Sequence, residues 1–135
     1  MKELRIEASL KNLNEVLRFV DQELEGADCP MKFMMQIDLA VEEIFVNIAM
    51  YAYKPDKGDV TVCVEVSEEP VCVTITFRDH GIPYDPLAKE DPDVTISAEA
   101  RRVGGLGIFL TKQVMDEITY EYKDGLNILK MKKAL

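Results

Sequence analysis

The sequence predicts an α+β fold of two layers, in which helices cover one face of a mostly antiparallel, mixed sheet. Three observations lead to this expectation. Two segments with alternating apolar residues, 60–66 and 71–77, are joined by a short turn at 67–70, which predicts an antiparallel hairpin. Two segments with helical periodicity precede this hairpin, and a short helix with a second hairpin follows it.

The chain begins with one strand and two helices. Residues 2–8 alternate between apolar and charged side chains, which predicts a strand with one wet face. Leu13 opens a run of apolar residues at helical spacing, and Gly26 ends it. Pro30 can start a second helix, which is apolar nearly all round from Phe33 to Tyr53 and is therefore expected to be a buried central element.

The C-terminal part combines a long loop, a glycine-rich segment and a final hairpin. Residues 82–103 have no period and contain three prolines, which indicates a segment that is either functional or disordered. A short apolar helix is expected from about Ile108 to Met115. Alternation resumes at Ile118, Asp124-Gly125 makes a hairpin turn, and residues 127–132 form the last strand.

The composition argues against several classes of protein. With 135 residues, 47 % of them apolar and 30 % charged, the chain fits a single globular domain over residues 1–135. The net charge of −9 argues against nucleic acid as a partner, because phosphates would be repelled. Three cysteines without paired spacing and a single histidine argue against a disulfide framework and a zinc site. No segment resembles a signal peptide or reaches transmembrane length, so we expect a soluble cytoplasmic protein with no membrane partner.

Glu43 and Asn47 lie one turn apart on one face of the second predicted helix, whereas Glu42 belongs to another stripe and is expected to face solvent. A carboxylate and an amide at this spacing suit a magnesium–nucleotide complex. The amide oxygen can ligate a hard cation, and the carboxylate can take a proton from an attacking hydroxyl. A helix with an ordinary polar edge would have the same pattern.

The first hairpin ends in Asp79-His80-Gly81. By alternation, Asp79 continues the apolar face of its strand, so its carboxylate is expected at the rim of the core. There it needs a partner, and an adenine amino group would be a suitable donor. Gly81 permits a turn and the close approach of a ligand. An ordinary Asp-x-Gly turn is the alternative.

The segment Gly104-Gly105-Leu106-Gly107 stands between the long loop and the short helix. Backbone N–H groups and the positive end of a helix favour phosphate, and glycines allow it to come within contact distance. A tight connection between loop and helix is the alternative. Because the three motifs occur together and in order around a loop that can close, they favour a nucleotide site.

These residues resemble the ATP-binding domain shared by gyrase-type ATPases and histidine kinases, the GHKL or Bergerat fold. Segments 43–47, 79–83 and 104–108 resemble its N box and its two glycine boxes, and the likeness covers nearly the whole chain. Within this group, the chain is similar to bacterial anti-sigma-factor serine-protein kinases. Segments 84–87 and 105–110 carry that narrower likeness.

The resemblance implies a role for each candidate residue. Glu43 would be the catalytic base, and Asn47 would hold Mg²⁺ between the phosphates of ATP. Asp79 would bind the adenine amino group, with Gly81 beside it. The remaining cofactor-binding residues, at the hinge of an ATP lid over about 82–103, would be Gly104, Gly105, Leu106 and Gly107.

The resemblance also implies partners. Such kinases hold a sigma factor as a dimer and phosphorylate a serine on an antagonist protein, which then lets go. Since the single histidine, His80, lies in the adenine turn, the phosphoryl group is expected to go to another protein. Tyr51 and Tyr53 depart from the family, which often has a His and a Gly in this region. A non-catalytic module whose grip on a partner depends on nucleotide is the alternative function, and a structural α+β protein is the third hypothesis.

Overall fold

The computed structural model describes residues 1–53, 56–88 and 106–135, except for the side chain of Leu106. Its elements follow the predicted order, β-α-α-β-β-α-β-β. The helices are α1 (Leu13–Gly26), α2 (Met31–Tyr51) and α3 (Leu106–Val114), and the strands are β1 (Lys2–Glu7), β2 (Asp59–Glu68), β3 (Val71–Asp79), β4 (Glu117–Lys123) and β5 (Leu126–Ala134). Short 3₁₀ helices at Leu10–Asn12 and Pro86–Ala88 complete the regular structure of the described residues.

The five strands form one sheet in the order β1-β2-β3-β5-β4, and every pairing among them is antiparallel. The expected antiparallel character is confirmed, whereas the expected mixture with parallel pairs is wrong for the described strands. β4 does run parallel to β3, but β5 lies between them and pairs antiparallel with both. β4 and β5 form a hairpin whose turn consists of Asp124 and Gly125. Their φ angles of 55° and 79° are both positive, as a tight two-residue turn requires.

The helices cover one face of the sheet, and the core lies between the two layers, as the sequence predicts. α1 and α2 direct apolar side chains toward the sheet, and alternate residues of β2, β3 and β5 meet them. The largest fully buried side chains include Leu24, Ile37, Ile44, Phe45, Ile75, Phe77 and Met131. Each contributes about 1.5–3 kcal/mol through burial, so this contact fixes α2, which carries much of the candidate site, on the sheet.

The second helix is less buried than its apolar sequence predicts. Met31, Met35 and Leu39 recur every four residues along α2 and are exposed by 68 %, 66 % and 44 %. In a two-layer fold only part of a helix surface can face the sheet and the neighbouring helices, so a helix that is apolar all round leaves one stripe uncovered. Within the described part of the chain, no helix is both long and apolar enough to cross a membrane.

The first residues of the predicted lid are part of the packed domain. Pro86 is buried in a 3₁₀ helix, and Leu87 packs against the core. Residues 82–85 are irregular, as expected. The expectation is wrong for residues 86–88, which form the 3₁₀ helix because Pro86 and Leu87 pack into the domain. The rest of the predicted lid, residues 89–103, lies outside the described residues.

Candidate nucleotide site

The acidic and amide side chains of α2 lie together, as the helical spacing predicts. Nδ2 of Asn47 donates a hydrogen bond to Oε1 of Glu43 over 3.5 Å. Both side chains are half-buried, whereas Glu42 is exposed. Burial raises the pKa of Glu43, and the charge of Glu42 raises it further, while the bond from Asn47 opposes both effects. The site therefore contains a carboxylate that accepts a proton more readily than a solvated glutamate does.

Gly107 at the start of α3 lies against this carboxylate. A Cβ atom added at Gly107 would be 1.8 Å from Cδ of Glu43 and 2.0 and 2.2 Å from its two oxygens. Only a glycine leaves room for the Glu43 side chain where it stands. Thr111, which is fully buried, donates from Oγ1 to the carbonyl oxygen of Gly107 over 2.8 Å and so fixes the first turn of α3.

The rest of the glycine-rich segment is only partly described. Leu106 is the first residue of α3, whereas Gly104 and Gly105 lie outside the described residues. The structure thus brings Glu43, Asn47 and Gly107 together, and the proposed phosphate contacts of the other two glycines stay predictions.

Asp79 ends β3 on the apolar face and is 4 % exposed, as strand alternation predicts. Two donors reach its carboxylate, the N–H of Gly81 at 2.8 Å and Nδ2 of Asn127 at 3.0 Å. Both bonds end on Oδ1. Among the described hydrogen bonds, Oδ2 therefore accepts none and is the oxygen available to a ligand donor.

The end of α2 leaves no room for a side chain at position 81. A Cβ atom at Gly81 would be 2.4 Å from the carbonyl oxygen of Ala52 and 2.6 Å from its Cβ. The same carbonyl accepts the N–H of Ile82 over 2.9 Å. The sequence suggested that this glycine admits a ligand, but in the described structure the close neighbour is α2.

Asn127 is the residue that the motif search missed. Besides Asp79, its Nδ2 donates to the carbonyl oxygens of Ile82 at 2.9 Å and of Gly81 at 3.3 Å. Its Oδ1 accepts the hydroxyl of Tyr120 and the N–H of Tyr84. The signal was present in the sequence, because alternation with Leu129 and Met131 places this amide on the apolar face of the last strand.

Tyr53, which departs from the resembling family, connects three parts of the chain. Its hydroxyl accepts the N–H of His80 over 2.8 Å and donates to the carbonyl oxygen of Asp59 over 2.6 Å. Its ring occupies the space of a side chain at Gly58, where a Cβ atom would be only 2.2 Å away. The tyrosine thus fixes the turn after β3 to the start of β2. Tyr51, the other departure, is exposed.

Comparisons with known proteins identify the family of the chain and its fold. Residues 6–133 match the family model of the histidine kinase-like ATPase domain. The chain is similar to serine-protein kinase RsbW of Listeria monocytogenes serovar 1/2a, with 30 % identity over 101 residues that cover 71 % of this chain and 63 % of the relative. It is also similar to RsbW of Bacillus cereus strain B4264, with 30 % identity over 98 residues that cover 70 % and 60 %. The chain spans somewhat less than two thirds of the length of these curated relatives.

The fold is also known from a solved structure. A chain in the crystal structure of the SiaB–SiaC complex from Pseudomonas aeruginosa superposes with a TM-score of 0.62 over 98 % of this chain and 89 % of that chain. At 16 % sequence identity this likeness concerns the fold. The family match over residues 6–133 goes further, and it shows that this chain belongs to the histidine kinase-like ATPase domain family.

Proposed function

We propose that this chain is an ATP-dependent serine-protein kinase that also holds a regulatory protein partner. The observation that carries the proposal is the contact of the Glu43 carboxylate with both Asn47 and Gly107. The named activity of the RsbW relatives supports it. By the same likeness, the partners would be a sigma factor and an antagonist protein that receives the phosphoryl group, and the chain would act as a homodimer.

The adenine end of the proposed ATP site is the turn after β3. Asp79 is nearly buried as a residue, and Gly81 and Asn127 donate to its Oδ1, which leaves Oδ2 for a ligand. A carboxylate oxygen at the rim of the core favours a ligand that can donate, and the adenine amino group fits this requirement. Asn127 keeps the carboxylate in this orientation from the neighbouring strand.

The phosphate end lies two turns or more toward the N-terminus of α2. Glu43 contacts Gly107 and Ala52 contacts Gly81, and nine residues of helix separate the two contacts by about 14 Å. This spacing suits an elongated ligand such as a nucleotide. With Nδ2 of Asn47 on Glu43, Oδ1 is the atom that would hold Mg²⁺. Backbone N–H groups at the start of α3, together with those of Gly104 and Gly105, would donate hydrogen bonds to the phosphates.

Mg-ATP supplies the γ-phosphoryl group and a metal ion that neutralises its charge. The chain supplies the base and its orientation. Glu43 accepts the proton of the acceptor serine hydroxyl, and its raised pKa brings it closer to the working pH, where a general base is most effective. Asn47 on one side and Gly107 on the other hold this carboxylate in place.

Phosphotransfer with radiolabelled Mg-ATP and candidate antagonist proteins tests the proposal. We expect label on a serine of one candidate, loss of transfer in Glu43→Gln with nucleotide affinity retained, and little change in Glu42→Gln. Because the two glutamates are neighbours, comparing the two variants distinguishes loss of the catalytic base from loss of a negative charge in general. Full transfer by Glu43→Gln would refute the base assignment, and no label on any candidate would refute the kinase.

A nucleotide-dependent binding module is the second candidate function. The exposed stripe of Met31, Met35 and Leu39 favours it, because adaptable apolar side chains on a surface often mark a protein contact. Calorimetry distinguishes the two functions. Equal affinities for ATP and ADP, together with no hydrolysis or phosphoryl transfer in the presence of the partner, would favour the binding module.

A further inference from the structure

The face of the sheet that the helices leave uncovered carries an open pocket of about 600 Å³. Side chains from β1, β2, β3 and the connection that follows α2 line it. Arg78 precedes Asp79 in β3, and because successive side chains of a strand point to opposite faces, the pocket lies across the sheet from the candidate nucleotide site.

The pocket collects positive charge in an acidic protein. Arg5, Lys57 and Arg78 line it, and Asp59 is the one acidic residue among the described residues that line it. The whole chain has the opposite balance, with 16 basic and 25 acidic residues. An excess of basic side chains in this pocket is therefore not what the overall composition would lead one to expect. Positive charge held in a concave site raises the local concentration of anions even when the net charge of the protein is negative.

Two exposed ion pairs orient the arginines without using up their donors. Nε of Arg5 donates to Oδ2 of Asp59 over 3.2 Å, and Nη2 of Arg78 donates to Oε1 of Glu3 over 3.0 Å. Such exposed ion pairs are weak, so an anion can compete with them for the guanidinium groups. Each guanidinium has five N–H donors, and its ion pair uses only some of them. Lys57 forms no ion pair with another described residue.

We propose that this pocket binds a phosphate-bearing small molecule, with its phosphate group between Arg5, Lys57 and Arg78. Guanidinium groups match phosphate oxygens with paired N–H donors, and a lysine adds a point charge. The volume is in the range of small-molecule sites and exceeds what one phosphate needs. The organic part of the ligand has room beside Tyr53 and His80, which form the wall nearest the adenine turn.

Titration of the whole chain with inorganic pyrophosphate, followed by the NMR signals of backbone amides at constant ionic strength, tests the site. We expect saturable shifts at Gly58, Thr61 and Arg78. Arg5→Gln should weaken the affinity roughly tenfold. The Arg5 side chain is 74 % exposed, so this variant is expected to fold, and an unchanged Tm verifies it. Arg18→Gln removes a charge from the exposed surface of α1 and should leave the affinity unchanged.

Three results would overturn the assignment. Shifts confined to Asn47 and Gly107 would place the anion in the candidate nucleotide site. Shifts that grow linearly and equal those of sodium sulfate would indicate general screening. Equal affinities of wild type and Arg5→Gln would show that the pocket arginine does not hold the anion.

Discussion

The side-chain amide of Asn127 donates to Oδ1 of Asp79 over 3.0 Å and so joins the last strand to the turn that ends β3. The two residues face each other in the pairing of β3 with β5, and both are buried. The same amide also reaches the carbonyl oxygens of Gly81 and Ile82. One side chain therefore fixes both the proposed adenine-binding carboxylate and the first residues of the loop beyond it.

Asn127→Ala should lower both stability and nucleotide affinity. Loss of this partner leaves a buried carboxylate and two carbonyl oxygens with fewer donors, which costs about 1–3 kcal/mol. Thermal unfolding and ADP calorimetry measure the two effects. Asn14→Ala, at an exposed position of α1, is the control and should leave both unchanged. If Asn127→Ala binds ADP as wild type does, Asp79 does not need this support.

Gly107→Ala should impair phosphoryl transfer far more than folding. The added Cβ would overlap the carboxylate of Glu43, but this is the end of a flexible side chain that can swing away. We expect a stability change below about 1 kcal/mol and a loss of transfer rate on the order of a hundredfold, because the base is displaced. Gly26→Ala is the control, since its Cβ would meet nothing within 4 Å. Normal transfer by Gly107→Ala would mean that the position of Glu43 against α3 is unimportant.

Gly81→Ala should lower stability more than Gly107→Ala does. Here the added Cβ would meet the backbone carbonyl of Ala52 at 2.4 Å, and neither α2 nor the turn can move without breaking the bond from Ile82 to that carbonyl. We expect a loss of about 1–3 kcal/mol in the free energy of unfolding. Denaturant unfolding measures it, again with Gly26→Ala for comparison. Equal stabilities of the two variants would contradict the close packing of the turn on α2.

The sequence predicted which face of an element each residue lies on, but not the contacts that distinguish Gly107 from Gly81. Periodicity placed Asp79 on the apolar face, separated Glu43 from Glu42 and predicted the order of the elements. The sequence could not indicate which atoms meet, because contacts such as Gly107 with Glu43 depend on how α3 packs against α2. Asn127 was missed for a related reason. A single amide in an alternating strand has many possible explanations until its partner across the sheet is known.

Transfer activity should depend on pH through Glu43, whose carboxylate must be ionised to act as a base. Its pKa is raised above the ordinary value of 4.5, first by burial and then by the charge of Glu42. The rate should therefore rise with pH through this raised pKa. Glu42→Gln removes the second cause, so the acid limb of kcat/KM should move to lower pH, while Glu15→Gln on α1 should not move it. An acid limb that stays in place in Glu42→Gln would exclude Glu43 as the titrating base.

A pair of carboxyl groups between α1 and α2 should make stability fall as the pH rises. Burial and a hydrogen bond with Asp21 raise the pKa of Asp38 from its ordinary 3.8 to about 8. Oδ1 of each carboxyl is buried without a hydrogen-bond partner among the described residues, so ionisation of both groups would be costly. Because folding favours the protonated form, this contribution is complete below about pH 3.8 and is lost as the pH rises through about 8.

Asp38→Asn tests this pair directly, because the amide can donate to Asp21 at every pH and carries no charge. The Tm of the variant minus that of wild type should increase steadily from about pH 5 to about pH 9, as wild type alone loses its shared proton. Glu25→Gln removes a charge from an exposed position of α1 and should give a difference that is flat over the same range. A flat difference for Asp38→Asn as well would mean that Asp38 is already ionised at the lower end of the range and shares no proton with Asp21.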